Sequence, residues 1–233
     1  MKFTLFLFAL FFVGILSAQP NQNVTQNSGG SMLRAANGIQ SSYGSSTLFY
    51  NPKRKIIGSE YLFDNWNYSA IIYTKNNQNF LVKDVNLNIN RNSFSAKFAG
   101  DSLFTFNFNN IEKILINDRE FKNVYTSDGK RIYEVVHESK DFSILKGFKV
   151  ELVSGSPNPM VNRANDKFVR RESYFVLKNN SVNLFKLKKN KILKLLEKDQ
   201  QKVVTFEKYM SDYNLSYKKE RDVKKALDYV SIN

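Results

Sequence analysis

The chain has 233 residues, 42% hydrophobic and 24% charged, enough for one sizeable core or two small ones. It has no cysteine, which excludes disulfides, a cysteine-based zinc site and an acylated lipoprotein anchor. The formal charge of +14 favours anionic surfaces without choosing among lipid headgroups, acidic glycans and nucleic acid.

Lys2 precedes an apolar run, Phe3 to Leu16, and Ser17-Ala18-Gln19 follows. A short positive region, an apolar region and a small-residue exit read as a secretory signal over residues 1–18, cleaved after Ala18. A retained membrane anchor is the competing reading, but the run falls short of the ~20 residues that span a bilayer. No later stretch is long and apolar enough to span. Residues 19–46 are rich in Asn, Gln, Ser and Gly and predict a flexible arm, because ordering each residue costs about 1–2 kcal/mol with little burial in return.

Residues 47–187 predict an antiparallel β-rich domain. A first short strand is expected at Thr47 to Tyr50, followed by a basic knot at Lys53-Arg54-Lys55. The sole tryptophan, Trp66, is expected to anchor the core, with a platform for sugar or a partner as the alternative. The organising stretch is Val85 to Ile116. There Val85, Leu87 and Ile89 alternate with Asn86, Asn88 and Asn90, and Phe94, Ala96 and Phe98 with Ser95 and Lys97. Phe104, Phe106 and Phe108 then alternate with Thr105 and Asn107. A period of two presents one apolar face to a core and one polar face to water. Turns are expected at Asn76-Asn77, Ala99 to Ser102, Asn117-Asp118, Ser127-Asp128-Gly129 and Asn179-Asn180. Gly147 reads as a bend within Phe142 to Val153, and Ser154 to Asp166, with its two prolines, as the longest internal loop.

From Lys188 the periodicity becomes helical. Ile192, Leu195 and Leu196 share a face, followed by Val203, Phe206, Met210 and Tyr213, then Val223, Ala226, Leu227 and Val230. Helices this short need a surface to dock on, and the sheet is the economical one. The fold class is therefore α+β: an antiparallel meander, with a curled or barrel-like sheet left open as an alternative, and a C-terminal helical unit over 188–233 packed on the sheet.

Motifs for chemistry are sparse. His137 is the only histidine, and neither a nucleophile elbow nor a zinc spacing accompanies it. The carboxylate pairs Glu60 and Asp64 or Asp118 and Glu120 sit beside turns, where acids are common for backbone reasons. EF-hand, phosphate-loop and dinucleotide fingerprints are absent, and so are cues for sequence-specific nucleic-acid binding. The remaining signal is a cluster, Lys186, Lys188, Lys189, Lys191 and Lys194, interleaved with apolar residues. It reads as a solvated face or as an interaction surface for anions.

Gly58 to Trp66 ahead of an aromatic meander, Phe142 to Gly147, and the tail Leu215 to Asp222 with Leu227-Asp228-Tyr229 resemble exported proteins of uncharacterised function from Bacteroidetes-type bacteria. The resemblance implies an envelope location, in the periplasm, at the periphery of the outer membrane or outside the cell, and carries over no catalytic residue. The expected function is a non-enzymatic envelope scaffold that contacts another protein by its polar sheet face or an edge strand, without cofactor or metal. The alternative is a binder of polyanions or anionic membranes through Lys186 to Lys194, with a carboxylate-based hydrolase behind both.

Overall fold

A computed structural model describes residues 44–48, 56–98, 102–127, 129–155 and 165–232, so the signal segment, the basic knot and the middle of the Ser154 to Asp166 loop lie outside the described residues. The strands are β1 (Gly44–Leu48), β2 (Ala70–Thr74), β3 (Asn79–Val82), β4 (Val85–Asn88), β5 (Ser93–Phe98) and β6 (Ser102–Phe106). They continue as β7 (Ile111–Ile116), β8 (Arg119–Thr126), β9 (Gly129–Glu138), β10 (Ser143–Val153), β11 (Lys167–Lys178) and β12 (Ser181–Phe185). Three helices follow, α1 (Lys189–Leu196), α2 (Gln200–Asp212) and α3 (Glu220–Ile232), and the architecture is α+β.

The expected single meander is divided between two antiparallel sheets. The larger has the order β12-β11-β10-β9-β8-β7-β2-β3 and is open, with β3 and β12 at its edges. Between β3 and β7 the chain leaves it to build a smaller sheet, β1-β6-β5-β4. β1 begins at Gly44, inside the stretch expected to be an arm, and pairs with β6 from Gly44↔Phe106 to Leu48↔Ser102. Hairpin corners use Asn and Asp in the left-handed region, at Asn77 (φ 58°), Asn117 and Asp118 (48° and 60°) and Asn179 and Asn180 (50° and 58°). Their short polar side chains tolerate that conformation.

Register places one row of side chains across all eight strands: Phe80, Ile72, Ile114, Phe121, Glu134, Lys146, Tyr174 and Phe185. Directly paired residues share a face, so this row defines one side of the sheet. Its β2–β8 end packs on the small sheet, where Phe94 and Phe121 meet edge to face at 5.2 Å within a core that also holds Ala96, Phe104 and Phe106. Its β12 end belongs to a second core built with Ile192, Phe206, Met210, Val223 and Leu227 of the helices. β9 and β10 serve both cores: Ile132 and Phe148 lie in the first, Val136 and Ile144 in the second. Tyr213, expected on the apolar stripe of α2, is instead 64% exposed and packs on Tyr209.

Between the cores the row turns polar. Glu134 takes two hydrogen bonds from Arg119, at 2.9 and 2.7 Å, and lies 3.5 Å from the Lys146 ammonium. Lys146 also donates to Glu220 of α3 at 2.8 Å, as does the Tyr174 hydroxyl at 2.7 Å. Burial alone would lower the Lys146 ammonium, but Glu220, Glu134 and Glu172 together hold it above the ordinary lysine value. The Arg119 guanidinium stands over the rings of Phe63, Phe121 and Phe148.

Three further expectations are corrected. The asparagines of β4 do not face water, since Asn86 and Asn88 are buried beneath the segment from Gly58 to Trp66. Asn86 Oδ1 accepts from the Phe63 N–H at 3.0 Å and its Nδ2 donates to the Phe63 and Asn65 carbonyls, which turns a polar strand face into a second contact layer. Arg170 fastens the same segment to β11 by donating to the carbonyls of Tyr61 and Leu62 and to Asp64. Trp66 is half-buried outside both cores, edge-on to Tyr61 at 4.8 Å with the Lys97 ammonium over its ring. Gly147 makes no bend; it lies within β10, where Phe175 and Tyr133 close over it.

A Cβ at Gly147 would come within 2.8 Å of the Phe175 ring and 3.0 Å of the Tyr133 ring. Gly147→Ala should therefore lower the stability measured by urea unfolding by about 1–3 kcal/mol. Glu134→Ala leaves two cations without their shared carboxylate and should lower it by about 3–5 kcal/mol, more than Glu134→Gln.

Candidate functional site

The lysine cluster takes its geometry from a change of period. Through β12 and the residues after it the backbone is extended, so Phe185 and Leu187 turn into the helical core while Lys186 and Lys188 turn out. Lys188 keeps an extended backbone (φ −141°, ψ 143°) and is the N-cap of α1. From there a helical spacing places Lys191 and Lys194 on the side that Lys188 begins, while Ile192 and Leu196 are buried behind them.

A groove of about 480 Å³ opens between this side of α1 and the β11–β12 hairpin, within the roughly 300–1,000 Å³ of small-molecule sites. Lys178, Lys186, Lys188, Lys191 and Lys194 line it, against the one acid Glu197. Val176, Phe185 and Leu195 supply apolar surface, and Asn183 a neutral polar group. Four of the five lysines singled out from the sequence thus converge. The fifth, Lys189, turns away and pairs with Glu207 at 2.7 Å, over the Tyr217 ring, and the Glu207 hydrogen bond raises its ammonium above the usual value. Trp66, the other expected contact residue, lies on the segment before β2 and does not line the groove. Lys178, Val176 and Leu184 come from the hairpin and were missed by the sequence reading; the charge at Lys178, just before the Asn179-Asn180 turn, was the available signal.

Two electrostatic features describe the groove. Among the described residues none of its five lysines is engaged in an ion pair, whereas Lys113, Lys122, Lys146 and Lys189 each have a carboxylate partner. α1 also starts without a side-chain cap and without an acid in its first turn. The positive end of a helix favours anions, so Lys188 and Lys191 there are of the wrong sign for its dipole, and an anion would relieve both the dipole and the crowded ammoniums.

His137 gathers a different set of groups. It lies inside β9, its Nδ1–H donates to Asp228 of α3 at 2.7 Å, and the Ser231 hydroxyl is 3.4 Å from Nε2. That brings a serine, a histidine and an aspartate into line. Yet the Ser231 hydroxyl donates to the Leu227 carbonyl at 2.9 Å and sits in the last turn of α3, where exposed backbone groups are carbonyls. An oxyanion forming there would meet acceptors rather than N–H donors. The arrangement works as a clasp between α3 and β9. Three of the four carboxylate candidates are likewise engaged separately: Glu60 accepts from Asn88, Asp64 from Arg170, and Glu120 is held by Lys113 and Lys122. Among the described residues no group of three or more acids and histidines is placed to hold a metal ion, and no helix is long and apolar enough to cross a membrane.

Burial pushes the His137 imidazole below its ordinary value of 6.5 despite the pull of Asp228. The unfolded chain then takes up a proton first as pH falls, so His137 should cost stability from about pH 6.5 downward, with a slope of at most about 1.4 kcal/mol per pH unit. Urea unfolding between neutral and mildly acidic pH should show this loss, and His137→Asn should lack that part of the slope.

No family model, no curated protein and no solved structure matches this chain.

Proposed function

We propose that this chain is an exported, non-enzymatic binding protein of the cell envelope that holds an anionic partner in the groove between α1 and the β11–β12 hairpin. The observation that carries the reading is the convergence of five lysines, none of them in an ion pair among the described residues, on one groove, with two of them, Lys188 and Lys191, at the uncapped start of α1. Some of its other cations are paired with carboxylates, as in the Lys113-Glu120-Lys122-Glu138 ladder on the opposite face of the sheet. Keeping like charges together has a cost that an anionic ligand offsets. Export is supported by the residues before Gln19 and by the resemblance to exported proteins of Bacteroidetes-type bacteria.

An interaction scaffold is the second reading, favoured by the two edge strands of the large sheet. Leu81 on β3 and Leu184 on β12 are 69% and 68% exposed, so both edges offer backbone and apolar side chains to an added strand.

Fluorescence anisotropy with a labelled polyphosphate separates the two. Affinity should fall roughly tenfold or more between about 50 and 200 mM salt. Replacement of Lys186, Lys188, Lys191 and Lys194 by Gln should remove most of it while circular dichroism stays unchanged. Binding untouched by those four substitutions would leave the scaffold reading in its place.

A further inference from the structure

We infer that the anionic partner is a polypeptide segment, laid as an added strand along the free edge of β12, with acidic residues at every second position and apolar residues between them. The inference rests on the anion-binding reading and names the kind of anion that the groove admits.

The corner at Asn179-Asn180, with both residues in the left-handed region, closes on the pair Lys178↔Ser181. The closing pair of such a two-residue corner is mutually bonded, and bonded and unbonded pairs alternate from there. Val176↔Asn183 and Tyr174↔Phe185 are therefore bonded, whereas Val182 and Leu184 direct their N–H and C=O groups away from β11. β12 is the last strand of its sheet, so those backbone groups line an open edge.

The same alternation separates the two faces beside that edge. Val176 and Phe185 lie on the face that packs against the helices, and Lys178 and Asn183 share it. Leu184 is opposite Phe175 on the other face and is 68% exposed. Leu184 nonetheless borders the groove, so the groove extends to the edge of β12. Its lining runs from Lys186 and Lys188, where β12 passes into α1, to Lys178 at the hairpin corner and Lys194 and Glu197 at the end of α1. The helix thus returns alongside the strand, and the cations accompany the edge along its length. A strand added there sends alternate side chains to the two faces. Those on the helix side meet Lys178, Lys188, Lys191 and Lys194, and those on the other side join Leu184 and the half-buried Phe175. A chain of phosphates or sulfates has only acceptors and leaves the Val182 and Leu184 carbonyls unanswered, whereas a peptide backbone brings donors and acceptors together. The lysines also decide which strand is admitted. An open edge invites a second copy, but a copy of charge +14 brings its own lysines and is repelled, while an acidic segment is drawn in.

The test is fluorescence anisotropy of the full chain at low salt with a labelled heptapeptide of alternating Glu and Val. One control is the same peptide with every amide N-methylated, which keeps the carboxylates and blocks strand pairing; the other has Gln for Glu. The unmodified peptide should bind at least about tenfold more tightly than either. Val182→Pro removes an edge N–H at a position that gives no bond to β11 and does not line the groove. It should weaken the peptide at least several-fold while polyphosphate binding persists. Lys188→Gln with Lys191→Gln should weaken peptide and polyphosphate alike. Equal affinity for the peptide and its N-methylated form overturns strand addition, and that comparison needs no substitution in the protein. If polyphosphate still binds, the anion-binding reading survives that result; if neither peptide nor polyphosphate binds, both readings fall.

Discussion

Glu134 is the point on which the two halves of the molecule balance. An eight-stranded sheet has too much apolar surface on one face for either the small sheet or the helices to cover alone, so each takes one end. Where the covers meet, Glu134 is bound by Arg119 from the side of the first core and approached by Lys146 from the side of the second. Charges so far from water are expensive, and their mutual attraction repays this only with good geometry and full hydrogen bonding. Here the geometry is two-pronged at Arg119, and Lys146 passes the connection on to Glu220 at the first residue of α3. The Tyr174 hydroxyl closes the set on the same carboxylate, and its burial beside that charge raises the phenol well above its ordinary value.

This seam does what apolar packing does poorly: it sets direction. Leucine and phenylalanine contacts tolerate sliding, whereas a bonded chain of alternating charges has one register. The start of α3 is fixed over β10 and β11, and its far end is fastened by His137 and Asp228 to β9. α2 packs against α3, with Tyr209 stacked on Tyr229 at 4.4 Å, and α1 packs against α2, where Lys189 meets Glu207. The position of α1 beside the β11–β12 hairpin, and with it the width of the lysine-lined groove, follows from restraints placed elsewhere in the molecule.

Much of this was legible in the residue order because it is local. Period-two runs marked β5 and β6, paired Asn and Asp residues marked the corners at 117–118 and 179–180, and the stripes Val223, Ala226, Leu227 and Val230 marked the last helix. What escaped is what distant segments do to one another. Asn86 and Asn88 read as solvent-facing until the segment from Gly58 to Trp66 is laid over them, and nothing in the alternation reveals that cover. Gly147 reads as a break until Tyr133 and Phe175 arrive from neighbouring strands to fill its missing side chain. The basic half of the groove was visible as a cluster of lysines. Its apolar half was not, because Val176 reaches it only through the β11–β12 pairing.

The detour between β3 and β7 bears on the order in which the protein assembles. From Ile111 to Phe185 every strand of the large sheet lies beside its predecessor, so that meander can grow by successive short closures. β2 and β3 join it only once Ile72 finds Ile114 across the whole span of the small sheet, a closure of much higher entropic cost. Until that happens the edge of β7 stands uncovered, so the newly made chain is most vulnerable to pairing with its own copies along that strand.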